Sequence, residues 1–198
     1  MTAESDPWAA HARRTVGGPR PLLTEALELL GRPRRRVALD LGCGAGNDTL
    51  ALLERGWTVT ALDGSAGALA LVQERAGVHR TRLTPLEAGF HQVPRRRYTL
   101  VYASLSLPFT PPARWDRTWR AVRRAVGVRG WFAATLFGPR DGWAGEPDMS
   151  FITAQALRER LDGFEPVVLR EWEGEIRLAA GGLHPSHTLT VIARRLSR

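Results

Sequence analysis

The chain is poor in cysteine and contains no lysine. Cys43 is the only cysteine among 198 residues, so no disulfide can form within the chain. A lone cysteine is typical of a reducing compartment, and we expect a cytoplasmic protein. All 28 basic residues are arginine, and against 20 acidic residues they give a net charge of +8.

Long hydrophobic runs are also absent. No apolar stretch approaches the roughly 20 residues that a membrane-spanning helix needs. The first residues, Met1 to Asp6, have no basic segment followed by an apolar one, so we expect no signal peptide. A hydrophobic content of 43% and a length of 198 residues are typical of one globular domain with its own core.

The arginines form short runs at residues 13–14, 34–36 and 95–97. Each run lies next to a predicted loop boundary, which favours an ordinary solvated surface. If the runs shared one face, they would instead attract the phosphates of a nucleic acid. The sequence does not show whether they do.

A glycine-rich segment follows the first predicted strand. Val37–Leu41 is a short apolar run typical of a buried strand, and glycines occupy positions 42, 44 and 46. A helical pattern begins at Asn47 and ends before Gly56. A second strand, 57–62, ends in Asp63, about 20 residues beyond the first strand, where open α/β sheets place a carboxylate for ribose hydroxyls.

Two nucleotide-like ligands fit a strand, glycine loop and helix: a dinucleotide and S-adenosylmethionine. The dinucleotide fingerprint requires its third glycine three residues after its second, which is the position of Asn47. Asp40 also precedes the glycines, where it would repel a pyrophosphate but attract a cationic amino-acid group. The pattern therefore favours S-adenosylmethionine over a dinucleotide, and a glycine turn without a ligand is the remaining alternative.

The segment Asp40-Leu-Gly-Cys-Gly-Ala-Gly46, with Asp63 after the next strand, resembles motifs I and II of class I S-adenosylmethionine-dependent methyltransferases. Its extension to Thr49 is similar to small bacterial methyltransferases of the tellurite-resistance and thiopurine types. The resemblance extends over about 37–194. It implies an α/β Rossmann-like fold with a seven-stranded, mostly parallel sheet flanked by helices, a reversed last strand, and S-adenosylmethionine as the cofactor.

The resemblance also implies roles for individual residues. Gly42 and Gly44 would lie beneath the methionine part of the cofactor, Asp40 would orient its amino group, and Asp63 would accept hydrogen bonds from both ribose hydroxyls. Leu86 would pack on adenine and Glu87 would meet its amino group, although the family usually has an acid at the position of Ala88. Ser104 and Leu105 would flank the transferred methyl group, unless Ser104 only caps its strand. The remaining expected cofactor contacts are Asn47, Gly64 and Ser65.

The rest of the chain alternates predicted helices and strands, which favours a parallel sheet. Helices are predicted at 8–14, 21–30, 66–76 and 153–161, with Ser65 and Asn47 as N-caps of the two helices that follow them. A further helix starts at Thr110-Pro111 and carries Trp115, Trp119, Val122 and Val126 on one face. The later strands are predicted at 78–83, 97–103, 131–137, 167–176 and 188–193, the last two as an antiparallel pair. We expect an N-terminal segment or lid at 1–20, loose over its first seven residues, and the methyltransferase domain at 21–198.

Residues 106–109 lack the Asp/Asn-Pro-Pro-aromatic motif of methyltransferases that act on exocyclic amines of bases, and no second cysteine is available to attack a base. We therefore expect a small-molecule acceptor, with nucleic acid an unlikely partner. An RNA methyltransferase and a non-catalytic regulator that binds S-adenosylmethionine remain alternatives. The acceptor, its reactive atom and the oligomeric state stay open.

Aromatic residues are the candidates for the acceptor pocket, although core packing is the alternative for each. Trp8, His11 and Arg14 share one face of the first helix, which could close as a lid about Gly17-Gly18. His11 is the candidate base for an oxygen or nitrogen acceptor. The other candidate pocket residues are Phe109, Trp143, Phe137 and Phe151. His184 and His187 are spaced like metal ligands but have no partners nearby in sequence, so we expect a turn and no metal site.

Overall fold

A computed structural model describes residues 6–196, so residues 1–5 of the expected loose terminus lie outside it. Six α-helices are present in this part of the chain: α1 (Pro7–Arg14), α2 (Pro21–Leu30), α3 (Asn47–Glu54), α4 (Ala66–Ala76), α5 (Pro112–Ala125) and α6 (Ala154–Arg160). The strands are β1 (Val37–Leu41), β2 (Thr58–Asp63), β3 (Leu83–Glu87), β4 (Tyr98–Ser104), β5 (Val126–Phe137), β6 (Phe164–Arg177) and β7 (Leu183–Arg195). None of the helices within residues 6–196 is long and apolar enough to cross a bilayer.

The seven strands form one sheet in the order β3-β2-β1-β4-β5-β7-β6. Neighbours from β3 to β5 are parallel, whereas β7 runs antiparallel to both β5 and β6. The predicted fold is therefore confirmed, including the antiparallel final pair. Because the order reverses between β1 and β4, the carboxyl ends of these two strands border a crevice where open α/β sheets bind ligands.

Local chemistry explains most helix boundaries. Asp6 caps α1 by accepting hydrogen bonds from the amides of Trp8 and Ala9. Ser65 caps α4 as predicted, accepting from the amide of Ala68 at 2.9 Å. The N-cap predicted at Asn47 is wrong: Gly46, with φ of 79°, takes that position, and Asn47 is the first helical residue.

Three strands differ clearly from their predicted positions, among them the last strand, β7, which begins at Leu183 rather than at 188. The third strand, expected at 78–83, is β3 at 83–87, because residues 77–82 form a 3₁₀ turn in which Val78 is 89% exposed. The fifth strand, expected at 131–137, begins earlier at Val126, a residue that the sequence placed on the preceding helix. Tyr98 of β4 pairs with Val126 and Leu100 with Trp131, so residues 127–130 loop out of the register.

The β6–β7 hairpin projects beyond the rest of the sheet. The pairing of β5 with β7 stops at Phe137 and Thr188, whereas β6 and β7 stay paired to Arg177 and Leu183. Residues 183–187 of β7 therefore extend past the carboxyl end of β5. This extension places one face of the hairpin beside the crevice.

Candidate active site

The glycine loop between β1 and α3 forms the floor of the crevice. Gly42, Gly44 and Gly46 have φ of 71°, 50° and 79°, the left-handed region that favours glycine. A Cβ on Gly42 would lie 2.3 Å from that of Ser106, and one on Gly46 would lie 2.7 Å from Val72. A Cβ on Gly44 would meet nothing within 4 Å. The first and third glycines thus permit close packing within the protein, whereas Gly44 leaves open space above the loop.

Asp63, the last residue of β2, faces the same space. Its two carboxylate oxygens accept hydrogen bonds from the amides of Gly44 at 2.9 Å and Ser65 at 3.0 Å. A carboxylate can accept about four hydrogen bonds, so two acceptor positions remain. Asp63 therefore both fixes the glycine loop and can bind hydroxyl groups.

Asp40, near the end of β1, is 2% exposed and accepts a 2.6 Å hydrogen bond from the hydroxyl of Thr49. Burial, followed by the charge of Asp48, raises the pKa of Asp40 from 3.8 to about 7. Burial likewise raises the pKa of Asp48, which accepts a hydrogen bond from the amide of Arg20 at 2.8 Å. Buried acids with raised pKa values are typical of functional sites. A ligand cation placed beside them would favour their ionised forms.

The space bounded by these residues is a cavity of about 730 Å³ at the carboxyl edge of the sheet. Its lining includes the predicted cofactor residues Asp40, Gly42, Gly44, Asn47, Asp63, Gly64, Ser104 and Leu105. Leu105 has a φ of 57°, which costs a non-glycine residue energy and is frequent where backbone is shaped for function.

Three predicted cofactor contacts do not line the cavity. Ser65 is buried, and its hydroxyl, besides capping α4, donates to Asp6 at 2.6 Å. Leu86 and Glu87 lie within β3, paired with Leu62 and Asp63, rather than after it. The expected position of Leu86 and Glu87 after the third strand is wrong, because that strand was predicted too early in the sequence.

The residues that take their place in the lining follow β3: Ala88, Gly89, Phe90 and His91. Arg20 and Arg114 also line the cavity and were not predicted. A correct third strand would have indicated the first four residues. The two arginines carry no signal in the sequence that distinguishes them from the other arginines.

Asn47 has a role that the sequence did not indicate. Its side chain accepts from the amide of Gly17 at 3.0 Å and donates to the carbonyl of Thr15 at 2.8 Å. It therefore fastens the segment after α1 to the start of α3. The partners lie about thirty residues apart in sequence, so no local pattern could reveal the contact.

Helix α1 covers one side of the cavity. Ala9 packs so closely against Gly67 that a Cβ there would lie 2.5 Å from that of Ala9. Trp8 and His11 line the cavity, whereas Arg14 does not. Burial, then the charges of Arg14 and Arg20, lowers the pKa of His11. His11 is thus favoured in its neutral form, which can accept a proton.

An aromatic cluster, which includes Trp8 of α1, forms another part of the lining. The ring of Phe109 lies 4.8 Å from that of Trp8, 6.1 Å from Phe137 and 6.2 Å from Trp143. Phe151 contacts Phe137 at 6.5 Å from behind and does not line the cavity. The hairpin contributes further lining residues that the sequence missed, namely Trp172, Ile176, Ser186 and Thr188.

His184 and His187 lie in β7, so the turn predicted for them is wrong. Both are buried, and His184 Nε2 lies 3.0 Å from an oxygen of Asp141. Asp141 also accepts from the amides of His187 and Trp143. His184 packs against the ring of Trp143 at 4.2 Å. Within residues 6–196, no three or more His, Cys, Asp or Glu side chains are grouped as metal ligands.

The cavity fits an amino-acid-bearing nucleoside. Its acids suit an ammonium group and ribose hydroxyls, and Gly44 leaves the backbone of the loop accessible to a ligand. The buried hydroxyls of Thr110 and Thr118 in its lining have no hydrogen-bond partner within residues 6–196, so they are available to a polar ligand. Residues 38–130, which contain the glycine loop and both acids, match the sequence profile of a methyltransferase domain. The sheet order and the likeness to solved structures show the fold of class I S-adenosylmethionine-dependent methyltransferases.

Several solved structures share the fold of this chain. TehB from Haemophilus influenzae is 18% identical with a TM-score of 0.75, and the match covers 87% of this chain but 61% of that one. The 1,6-didemethyltoxoflavin-N1-methyltransferase of Burkholderia thailandensis is 23% identical, with a TM-score of 0.67 over 98% of this chain and 83% of that one. The N-methyltransferase NodS of Bradyrhizobium japonicum is 14% identical, with a TM-score of 0.69 over 98% and 90%. At these identities the likeness shows the fold alone, and no curated protein sequence matches the chain.

Proposed function

We propose that the protein transfers a methyl group from S-adenosylmethionine to a small, largely apolar acceptor held against the aromatic cluster that Trp8 of α1 completes. One observation carries the proposal: the lining of a single cavity combines acidic residues and a glycine loop with a cluster of aromatic rings. The acids and the glycine loop suit a charged cofactor. The aromatic rings suit an uncharged organic molecule.

Five of the chain's own residues would hold the cofactor. Asp40 would accept from its amino group, Asp63 from its ribose hydroxyls, and Gly44 would allow the backbone to approach. Arg20, whose positive charge interacts with the carboxyl groups of Asp40 and Asp48, would bind the carboxylate of the cofactor's methionine part. Phe90, after β3, would pack on its adenine ring.

The acceptor end offers few polar groups and no available carboxylate. Its lining includes Trp8, Phe109, Phe137 and Trp143, while the nearby Asp141 has a fully buried side chain engaged by β7. A cationic amine would therefore find no acidic partner there. The 1,6-didemethyltoxoflavin bound to the Burkholderia enzyme named above is a small molecule of the size that such a pocket admits, which supports this choice of class.

S-Adenosylmethionine supplies an electrophilic methyl group on a sulfonium, so the protein's task is to align the acceptor, exclude water and move a proton where one must leave. Alignment and exclusion lower the barrier by several kcal/mol, on the order of 7–11 kcal/mol in well-oriented cases. Residues 8–16, which include most of α1, would form a lid that excludes water from the cavity. His11 would take the proton from an oxygen or nitrogen acceptor, and a soft sulfur acceptor would need no base.

A structure with S-adenosylhomocysteine bound tests the proposal. We expect its ribose on Asp63, its amino group beside Asp40, and its sulfur facing a free volume bordered by Trp8 and Phe109. If the adenine of S-adenosylhomocysteine instead packed among the aromatic rings, no space would remain for an acceptor, and the proposal would be contradicted. An RNA methyltransferase would instead show a broad, basic opening beside the sulfur. A non-catalytic regulator would bind the cofactor without any acceptor volume.

A further inference from the structure

Arginines gather along the edge of the sheet opposite the cavity. Parallel strands all begin at one edge, and β1, β4 and β5 begin next to residues 34–36, 95–97 and 123–124. Because β7 runs the other way, its last residues, 194–195, lie at the same edge. Together with Arg129 in the loop after Val126, these residues form what we call the arginine edge.

Hydrogen bonds between neighbouring strands make the arginine edge continuous. The hydroxyl of Thr99, in β4, donates to the carbonyl of Arg35 at 2.8 Å, which ties the first run to the second. The guanidinium of Arg97 donates to the carbonyl of Arg124. Arg195 donates to the carbonyl of Arg123 at 3.0 Å, which adds the end of β7. The runs that are separate in the sequence therefore share one surface.

Little acidic charge balances this surface. Leaving Arg195 aside, the arginines that form ion pairs in the part of the chain that the structure describes are Arg140, Arg160 and Arg170, and none of these belongs to the arginine edge. Contacts to backbone carbonyls leave the guanidinium charge intact and occupy few of its five N–H groups. Clustered like charges destabilise a compact protein, and an anionic partner would offset this repulsion.

A small cleft lies on the arginine edge. The cleft has a volume of about 250 Å³ and is lined by Arg129, Arg194 and Arg195 with Glu165 and Leu196. Arg129 has a φ of 58°, an uncommon conformation for a residue other than glycine. Arg129 and Arg194 outnumber the one acid of this lining, Glu165, which makes the cleft suitable for a phosphate group.

We propose that the arginine edge binds a single-stranded nucleic acid through its phosphodiester groups, with one phosphate in the cleft. The runs border four neighbouring strands, and strands lie about 4.8 Å apart, so the charges form a row that matches a linear polyanion. The exposed large hydrophobic residues beside this row are Val128 and Leu196, without the aromatic residues that anchor proteins to membranes. Because the cavity lies at the opposite edge, the bound strand is a partner and not the methyl acceptor.

Fluorescence anisotropy of a labelled 20-nucleotide oligo(U) tests the proposal in the full-length protein. The variant Arg95→Glu/Arg194→Glu reverses two exposed charges of the arginine edge. Its control, Arg13→Glu/Arg117→Glu, makes the same change in net charge at exposed helical positions of α1 and α5. Melting curves with and without S-adenosylhomocysteine verify that both variants fold and retain the cofactor site.

We expect wild-type binding to weaken with a slope of log affinity against log salt of about −3, since about four phosphates release their counterions. The edge variant should lose at least about tenfold in affinity at low salt and should show a shallower slope, whereas the control should lose about twofold or less. Equal losses in both variants would mean that only net charge matters, and the proposal would fail. The protein could instead bind phosphatidylglycerol vesicles more strongly than oligo(U), with a loss of vesicle binding in the edge variant. That result would overturn the nucleic-acid proposal and identify a membrane surface as the partner.

Discussion

Replacing Asp40 by asparagine should stabilise the protein while weakening its cofactor binding. The carboxyl of Asp40 is buried beneath the cavity, beside Asp48 and Asp63, and its partner within the protein is the hydroxyl of Thr49. Asparagine has the same shape and can still accept that hydrogen bond, but it carries no charge. The substitution therefore removes the desolvated charge without opening a cavity.

The magnitude follows from the pKa, which burial raises from 3.8 to about 7 in the folded protein. The folded state holds a proton over this interval that the unfolded state releases, so the free energy of unfolding falls as the pH rises from about 4 to about 7. Each pKa unit corresponds to about 1.36 kcal/mol, which makes the wild-type penalty on the order of 4 kcal/mol at pH 8. We expect the Asp40→Asn variant to be more stable by about 2–4 kcal/mol at pH 8 and the difference to vanish near pH 4.

The same carboxylate should favour cofactor binding. An ammonium group beside Asp40 would lower its pKa and release its proton, so wild-type affinity for S-adenosylmethionine should increase as the pH rises through about 7. The Asp40→Asn variant should bind about 1.5–3 kcal/mol more weakly at pH 8 and lose this pH dependence.

Urea unfolding at several pH values, with titration calorimetry of the cofactor, measures both effects. The exposed Asp148→Asn variant is the control and should match the wild type in both measurements. If Asp40→Asn were less stable than the wild type at pH 8, or bound the cofactor equally well, the assigned role of Asp40 would be refuted.

Three further predictions concern the cofactor, the lid and the base. Asp63→Ala should weaken S-adenosylmethionine binding by about 2–3 kcal/mol in a protein that still folds, and calorimetric affinities equal to wild type would refute the ribose assignment. Removing residues 1–16 should leave the sheet folded and strongly reduce turnover or acceptor affinity, whereas a lower melting temperature with full activity would show that α1 only supports the fold. His11→Gln should abolish the acid limb of the pH–rate profile for an oxygen or nitrogen acceptor, a limb that lies below pH 6.5 because the pKa of His11 is lowered. An unchanged profile would exclude His11 as the base.

Local sequence patterns predicted the glycine loop and the first two strands well because the determinants of these features are local. The backbone conformation at Gly42, Gly44 and Gly46 requires glycine, and the buried runs before Asp40 and Asp63 are strands by composition alone. The resemblance to class I methyltransferases then supplied the order of the sheet. These features depend on neighbours in sequence or on a motif of known spacing.

The predictions failed where distant contacts decide the structure. Val78 is a good strand former, but its turn leaves it exposed, so the third strand and the residues after it were misplaced. The strand conformation of His184 and His187 depends on Asp141, more than forty residues away. The continuity of the arginine runs depends on sheet order, which periodicity does not determine.

Methyl transfer from labelled S-adenosylmethionine, measured side by side on a small-molecule extract and on total RNA, tests the central claim most directly. We expect label in low-molecular-weight, organic-soluble products and none in RNA, even if RNA binds at the arginine edge. The Asp63→Ala variant should show neither. Saturable incorporation into RNA, or cofactor binding without transfer to any acceptor, would contradict the small-molecule methyltransferase proposed for this chain.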